Sequence, residues 1–93
     1  MMLLEFDEAK SARNVRERGI GFERFGDLDF DSAVGVEDTR RVYGERRLRV
    51  MGCIDGLLHA AVVTPRGDRI RVISLRRANK REERAYAKER QSS

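Results

Sequence analysis

The pair Asp55-Gly56 constrains this chain more than any other feature. A two-residue hairpin loop of the favoured type needs positive φ at both central positions, and Asp-Gly is among the few pairs that accept it. Upstream, Arg47–Ile54 alternates polar and apolar residues and sets Leu48, Val50 and Ile54 on one face. Downstream, Leu57–Thr64 is almost continuously apolar, as a strand central in a sheet should be. Pro65-Arg66-Gly67-Asp68 reads as a second turn, with proline fixing φ and glycine giving the flexible position. A third strand then alternates charge and hydrophobicity from Arg69 to Ile73, and β-branched Val72 and Ile73 suit it. Residues 45–76 therefore predict a three-stranded antiparallel meander.

The remaining segments must cover that sheet. Met1–Phe6 is a short apolar run, long enough for one edge strand. Asp7 reads as a helix N-cap, Glu8 suits the positive end of the macrodipole, and Gly19 is placed to end the helix at about residue 18. Ala9, Ala12 and Val15 give that helix a thin apolar stripe. After the Ile20-Gly21 joint, Phe22, Phe25 and Leu28 predict a second short helix packing its aromatic face on the sheet. Ala33–Glu37 is a further strand, followed by a charged loop through Thr39-Arg40-Arg41 to Gly44. Asn79 caps a strongly charged helix to about Arg90, and a polar tail begins near residue 88. The whole, residues 1–93, is expected to be a single small α+β domain. An antiparallel sheet packs against the N-terminal helices, with the charged helix at the C-terminus.

The charge carries the functional signal. Asp68–Arg77 holds four arginines and a serine in ten residues. A solvated strand face accepts any polar residue, whereas arginine offers a planar fork of donors suited to phosphate. Of the chain's 20 basic residues, 17 are arginine. Residues 1–46 carry 8 basic and 11 acidic side chains, residues 47–93 carry 12 and 5. The C-terminal half therefore suits a polyanion partner, the alternative being an ordinary arginine-rich surface.

Several classes drop out. Cys53 is the sole cysteine, which excludes a disulfide framework and a thiolate metal cluster and suits a small buried residue. Asp27, Asp29 and Asp31 alternate like the start of a calcium loop, but the glycine and distal glutamate such a loop needs are missing. No metal or other cofactor is expected. No stretch is long enough to span a bilayer and no signal-peptide layout is present, so the expected compartment is the cytoplasm. His59 lies inside an apolar strand and reads as a structural side chain. There is no HExxH, Walker or GxGxxG motif.

What remains is Arg47, Arg69, Arg71, Ser74, Arg76 and Arg77, with Glu82 and Tyr86 four apart on one face of the last helix. Four segments occur in order: Phe6-Asp7 with Lys10 and Asn14, Gly19–Glu23, Gly44–Arg47 with Gly52, and Arg71–Ala78 with Glu82 and Tyr86. This pattern, from about residue 4 to 87, resembles the BrnT toxins of BrnT/BrnA toxin–antitoxin pairs, most specifically from Arg71 to Tyr86. The resemblance implies a RelE-like α/β fold, a ribonuclease without a metal, and a ribbon-helix-helix antitoxin, BrnA-like, encoded beside it. DNA would be met only through the antitoxin complex. One departure stands out: Glu17-Arg18-Gly19 replaces the family's usual Lys-His-Gly, so no role of that histidine carries over to Arg18.

RNA can be cut by attack of a 2′-hydroxyl on the adjacent phosphate, which needs positive donors on the pentavalent phosphate. Arg71 and Arg76 are the first choices as donors, and Glu82 and Tyr86 are candidates for proton transfer. Arg47, Arg69, Ser74 and Arg77 are candidates for substrate binding. Regular alternation puts Arg71 and Arg76 on opposite faces of their strand, so a bulge or twist after Ile73 must unite them, or one of them is structural. Two other classes share these residues: a basic surface that binds nucleic acid without cutting it, and a face that docks an acidic partner.

Overall fold

The Asp55-Gly56 turn forms as its chemistry requires, with φ of 54° at Asp55 and 77° at Gly56. It lies in a computed structural model that describes residues 2–91; Met1 of the expected first strand and Ser92-Ser93 of the tail fall outside the described residues. The elements are β1 (Leu3–Glu5), α1 (Glu8–Arg18), a 3₁₀ segment (Phe22–Asp27), β2 (Val34–Glu37), β3 (Leu48–Ile54), β4 (Leu57–Arg66), β5 (Arg69–Arg77) and α2 (Lys80–Gln91). No helix among them is long and apolar enough to cross a membrane.

The five strands form one sheet in the order β1-β5-β4-β3-β2, with β4 at its centre. The expectation of an all-antiparallel sheet is corrected at one edge, where β1 runs parallel to β5. No hairpin joins these two strands, so no turn sets their direction. Pro65 corrects a second expectation. It stays in β4 opposite Ile70, and the turn shrinks to Gly67-Asp68 with Gly67 at φ 60°. Beyond Val63 only β5 pairs with β4, and a proline without its N–H is tolerated where the sheet has thinned to two strands.

One face of the sheet, the inner face, carries the core. Ile54, Ala61, Val63, Val72 and Leu75 meet Phe22, Phe25 and Leu28 there. Fully burying each large side chain contributes roughly 1.5–3 kcal/mol. The second helix is a 3₁₀ turn rather than an α-helix. Side chains three apart eclipse in that geometry, which drops Phe22 and Phe25 together onto the sheet. Gly52 makes room for this layer, because a Cβ there would lie 2.8 Å from the Leu28 side chain. Asp7 accepts from the Lys10 amide at 3.0 Å and Gly19 donates to the Val15 carbonyl at 2.9 Å, so both predicted caps of α1 form. Asn14 ties α1 to the sheet by donating to the carbonyls of Ile20 and Leu75, each at 2.8 Å. Cys53 is half-buried rather than a core residue, because alternation turns it to the opposite, outer face.

Candidate functional site

A β-bulge builds the site. On β4, Val62 and Val63 are neighbours, but their partners on β5 are Ser74 and Val72, so Ile73 is an extra residue. Without it, Arg71 and Arg76 would point to opposite faces. With it, Val72 and Leu75 both enter the core, while Arg69, Arg71, Ser74 and Arg76 all project from the outer face.

Cross-strand pairing then sets the neighbours of these side chains. One outer-face row runs Val36, Arg49, Val62, Ser74 across four strands, and the next runs Val34, Met51, Ala60, Arg76. Adjacent strands are about 4.8 Å apart, so Arg49 and Ser74 stand roughly 10 Å apart at the backbone with only Val62 between them. The valines, Met51 and Ala60 form an apolar floor with cationic and hydroxyl side chains rising from it.

Helix α2 walls this floor. Asn79 and Glu82 form a reciprocal capping box: the Glu82 amide donates to Asn79 Oδ1 at 2.8 Å, and the Asn79 amide donates to Glu82 Oε1 at 2.9 Å. The same carboxylate receives the fork of Arg76, two bonds of 2.8 Å each. One turn on, the Tyr86 hydroxyl donates to the Ser32 carbonyl at 2.7 Å. None of the residues of α2 is fully buried, so these polar contacts carry much of its attachment. Between helix and sheet lies a groove of about 520 Å³, a size typical of small-molecule clefts.

The Arg76 hydrogen bonds hold the Glu82 carboxyl down at about 2, against burial and with help from the Asn79 amide. Glu82 in turn raises Arg76, opposed by desolvation and by the charge of Arg40. A carboxylate so stabilised is a feeble proton acceptor at neutral pH. Its contacts are those of an anchor for Arg76 and for the first turn of α2.

Of the residues put forward from sequence, Ser74, Arg76, Glu82 and Tyr86 line the groove together. Arg71 shares the outer face but lies further along β5, with an Nη1 3.8 Å from Glu5. Arg69 is exposed opposite Arg66, on the same face. Arg77 points the other way, beside His59, in a small depression that Arg18 and Arg24 also line. Arg47 precedes β3, with its guanidinium 4.2 Å above the Tyr43 ring and Nε 3.3 Å from Glu45. His59 is buried, with Nδ1 2.6 Å from the Leu57 carbonyl, the contact of a structural imidazole.

Two groove cations were not singled out from sequence. Arg49 could have been: it alternates with Leu48 and Val50 and must leave the core face. Arg40 reaches the groove from the loop after β2, and no local pattern signals that path. Among the described residues, no three His, Cys, Asp or Glu side chains gather as metal ligands would.

No curated protein matches the chain. The family model described as the ribonuclease toxin, BrnT, of type II toxin–antitoxin systems matches residues 6–82. That span holds strands β2 to β5, the bulge and the Arg76–Glu82 pair; it begins just after β1 and ends before Tyr86. Covering most of the residues and the side chains that build the groove, the match places this chain in the BrnT family of ribonuclease toxins, which act on RNA and are paired with an antitoxin.

Proposed function

We propose that the groove between the outer sheet face and α2 is where this toxin cuts RNA internally and thereby inhibits translation. The observation that carries this reading is the bulge at Ile73, which sets Ser74 and Arg76 beside Arg49 over an apolar floor. A nucleobase packs on Val34, Met51 and Val62 while its phosphate meets the cations. The 2′-hydroxyl attacks the adjacent phosphate, and Arg76 and Arg49 stabilise the charge that develops on it. Ser74 donates a hydrogen bond from the floor. Arginine titrates too high to accept the 2′-hydroxyl proton and Glu82 is too acidic, so that proton passes to a solvent water in the open groove as the 2′-oxygen bonds to phosphorus. Tyr86, on the wall, gives its hydroxyl proton to the leaving 5′-oxygen, for which the hydroxyl must turn from the Ser32 carbonyl, and regains a proton from solvent. Arg71 and Arg69 extend the cationic face along β5 and hold the flanking phosphates. Arg47 and Arg77 lie outside the groove and act on more distant parts of the strand.

This chemistry uses no metal. The order of elements fits a RelE-like fold, and a BrnA-like ribbon-helix-helix antitoxin neutralises the toxin by covering the outer face. A gel of end-labelled RNA tests the reading: discrete internal products are expected, and a 2′-deoxy nucleotide at the cut position should abolish that cut. A shifted but intact RNA would instead identify a basic binding module.

A further inference from the structure

The loop between β2 and β3 contains a buried carboxylate that the chemistry above does not use. The Asp38 side chain is only 1% exposed. It accepts the Nε and Nη2 of Arg40 at 2.8 Å each, the Arg40 amide at 3.2 Å and the Tyr43 hydroxyl at 3.0 Å. The Arg40 fork holds this carboxyl well below the usual carboxylate range. Arg40 itself is 58% exposed and lines the groove.

Arg76 is built in the same way. Its fork is anchored by Glu82, whose carboxylate is fixed in turn by the Asn79 amide. Two of the three guanidiniums that line the groove are thus pinned from behind by a bidentate carboxylate, and Arg76 feels the charge of Arg40. Like charges held within reach of each other are unfavourable until an anion enters between them. Each guanidinium has five N–H donors; its carboxylate takes two, and Arg76 gives a third to the Arg77 carbonyl at 3.2 Å, so both keep donors for such an anion. A phosphodiester accepts from two forks at once, and the adjacent apolar floor takes its base.

We propose that Arg40 and Arg76 grip one phosphate of single-stranded RNA between them, and that Asp38 is the positioning residue that holds Arg40 at the groove. The proposal rests on reading the groove as the RNA site, and its test separates the two. Binding of a fluorescent all-2′-deoxy strand, which cannot be cut, is measured beside cleavage of the matching RNA. The variants are Arg40→Ala, the double variant Asp38→Asn/Arg40→Gln, Asp38→Asn, and Arg41→Ala as an exposed neighbour. The double variant leaves no unpaired buried charge, so it reports on Arg40 even where Arg40→Ala folds poorly.

The dissociation constant is expected to rise about tenfold for Arg40→Ala and for the double variant, as the loss of a charge-assisted hydrogen bond implies. The slope of log affinity against log salt should fall by about 0.7, one phosphate contact on a single strand. Arg41→Ala should change affinity by less than about twofold. Asp38→Asn should raise KM more than it lowers kcat, which a merely structural role would not do. Equal effects of Arg40→Ala and Arg41→Ala, or an unchanged KM for folded Asp38→Asn, would overturn the clamp while cleavage by the parent chain stands. A parent chain that binds but never cuts would sink the ribonuclease reading alone, leaving the clamp to be decided by the binding series. A parent chain that binds neither strand refutes both.

Discussion

Arg76→Ala should cost this protein both activity and part of its C-terminal helix, and the two losses can be separated. The substitution removes two 2.8 Å bonds to Glu82 and leaves that carboxylate with the Asn79 amide. The Arg76 side chain is 38% exposed and Glu82 26%, so solvent screens the pair and its loss should cost about 1 kcal/mol. For a domain of this size that lowers the melting temperature by about 4–8 °C. Removing a donor from the transition state costs more, about 100- to 1,000-fold in rate. Glu82→Gln separates the terms, because it breaks the ion pair and keeps the guanidinium. It should show a similar drop in melting temperature and retain far more single-turnover cleavage than Arg76→Ala. Arg13→Ala, on exposed α1, is the control and should match the parent in both assays. Equal loss of cleavage in Arg76→Ala and Glu82→Gln would refute the assignment, since the position of α2 rather than the Arg76 donor would then limit the rate. Full activity in Arg76→Ala would refute it outright.

Three further outcomes are expected. The Glu82 carboxyl lies at about 2 in the folded chain against 4.5 for the free group, so its contribution is complete above pH 4.5 and is lost as pH falls towards 2. Backbone NMR of residues 80–91 should show α2 loosening over that window, and Glu82→Gln should erase the step. Gly52→Ala should destabilise the fold by about 1–3 kcal/mol by driving a Cβ into Leu28, yet leave cleavage by the folded fraction unchanged, because Gly52 faces the core; denaturant unfolding with activity measurement checks both. Expression of the chain alone should arrest growth and co-expression of its antitoxin should restore it, whereas normal growth with verified folded protein would count against the toxin assignment.

The parts of this fold that were legible in the sequence are those decided locally. Asp55-Gly56 announces its turn because few pairs accept two positive φ angles, and Asp7, Gly19 and Asn79 announce helix ends through their own hydrogen bonds. The direction of β1 was not legible, since its partner β5 is remote in sequence and no turn links them. The 3₁₀ form of Phe22–Asp27 was hidden because a spacing of three suits both helix types. Within the site, the sequence posed the conflict between Arg71 and Arg76, and the extra residue Ile73 resolves it. The Glu82 partnership was hidden for another reason: residues 76 and 82 flank a strand-to-helix joint whose angle depends on the rest of the fold. Arg40 was least legible of all, because it reaches the groove only through the buried contacts of Asp38.

The proposed reaction in this groove is internal attack of a 2′-hydroxyl on the adjacent phosphate, with arginines and no metal stabilising the charge. The most direct measurement is cleavage of a labelled RNA by the purified chain in excess EDTA, with the new ends identified by mass spectrometry. Undiminished cleavage leaving 2′,3′-cyclic phosphate or 3′-phosphate ends, with 5′-hydroxyl partners, is the expected result. Activity that disappears with chelator and returns with magnesium, or products bearing 5′-phosphate and 3′-hydroxyl ends, would contradict it.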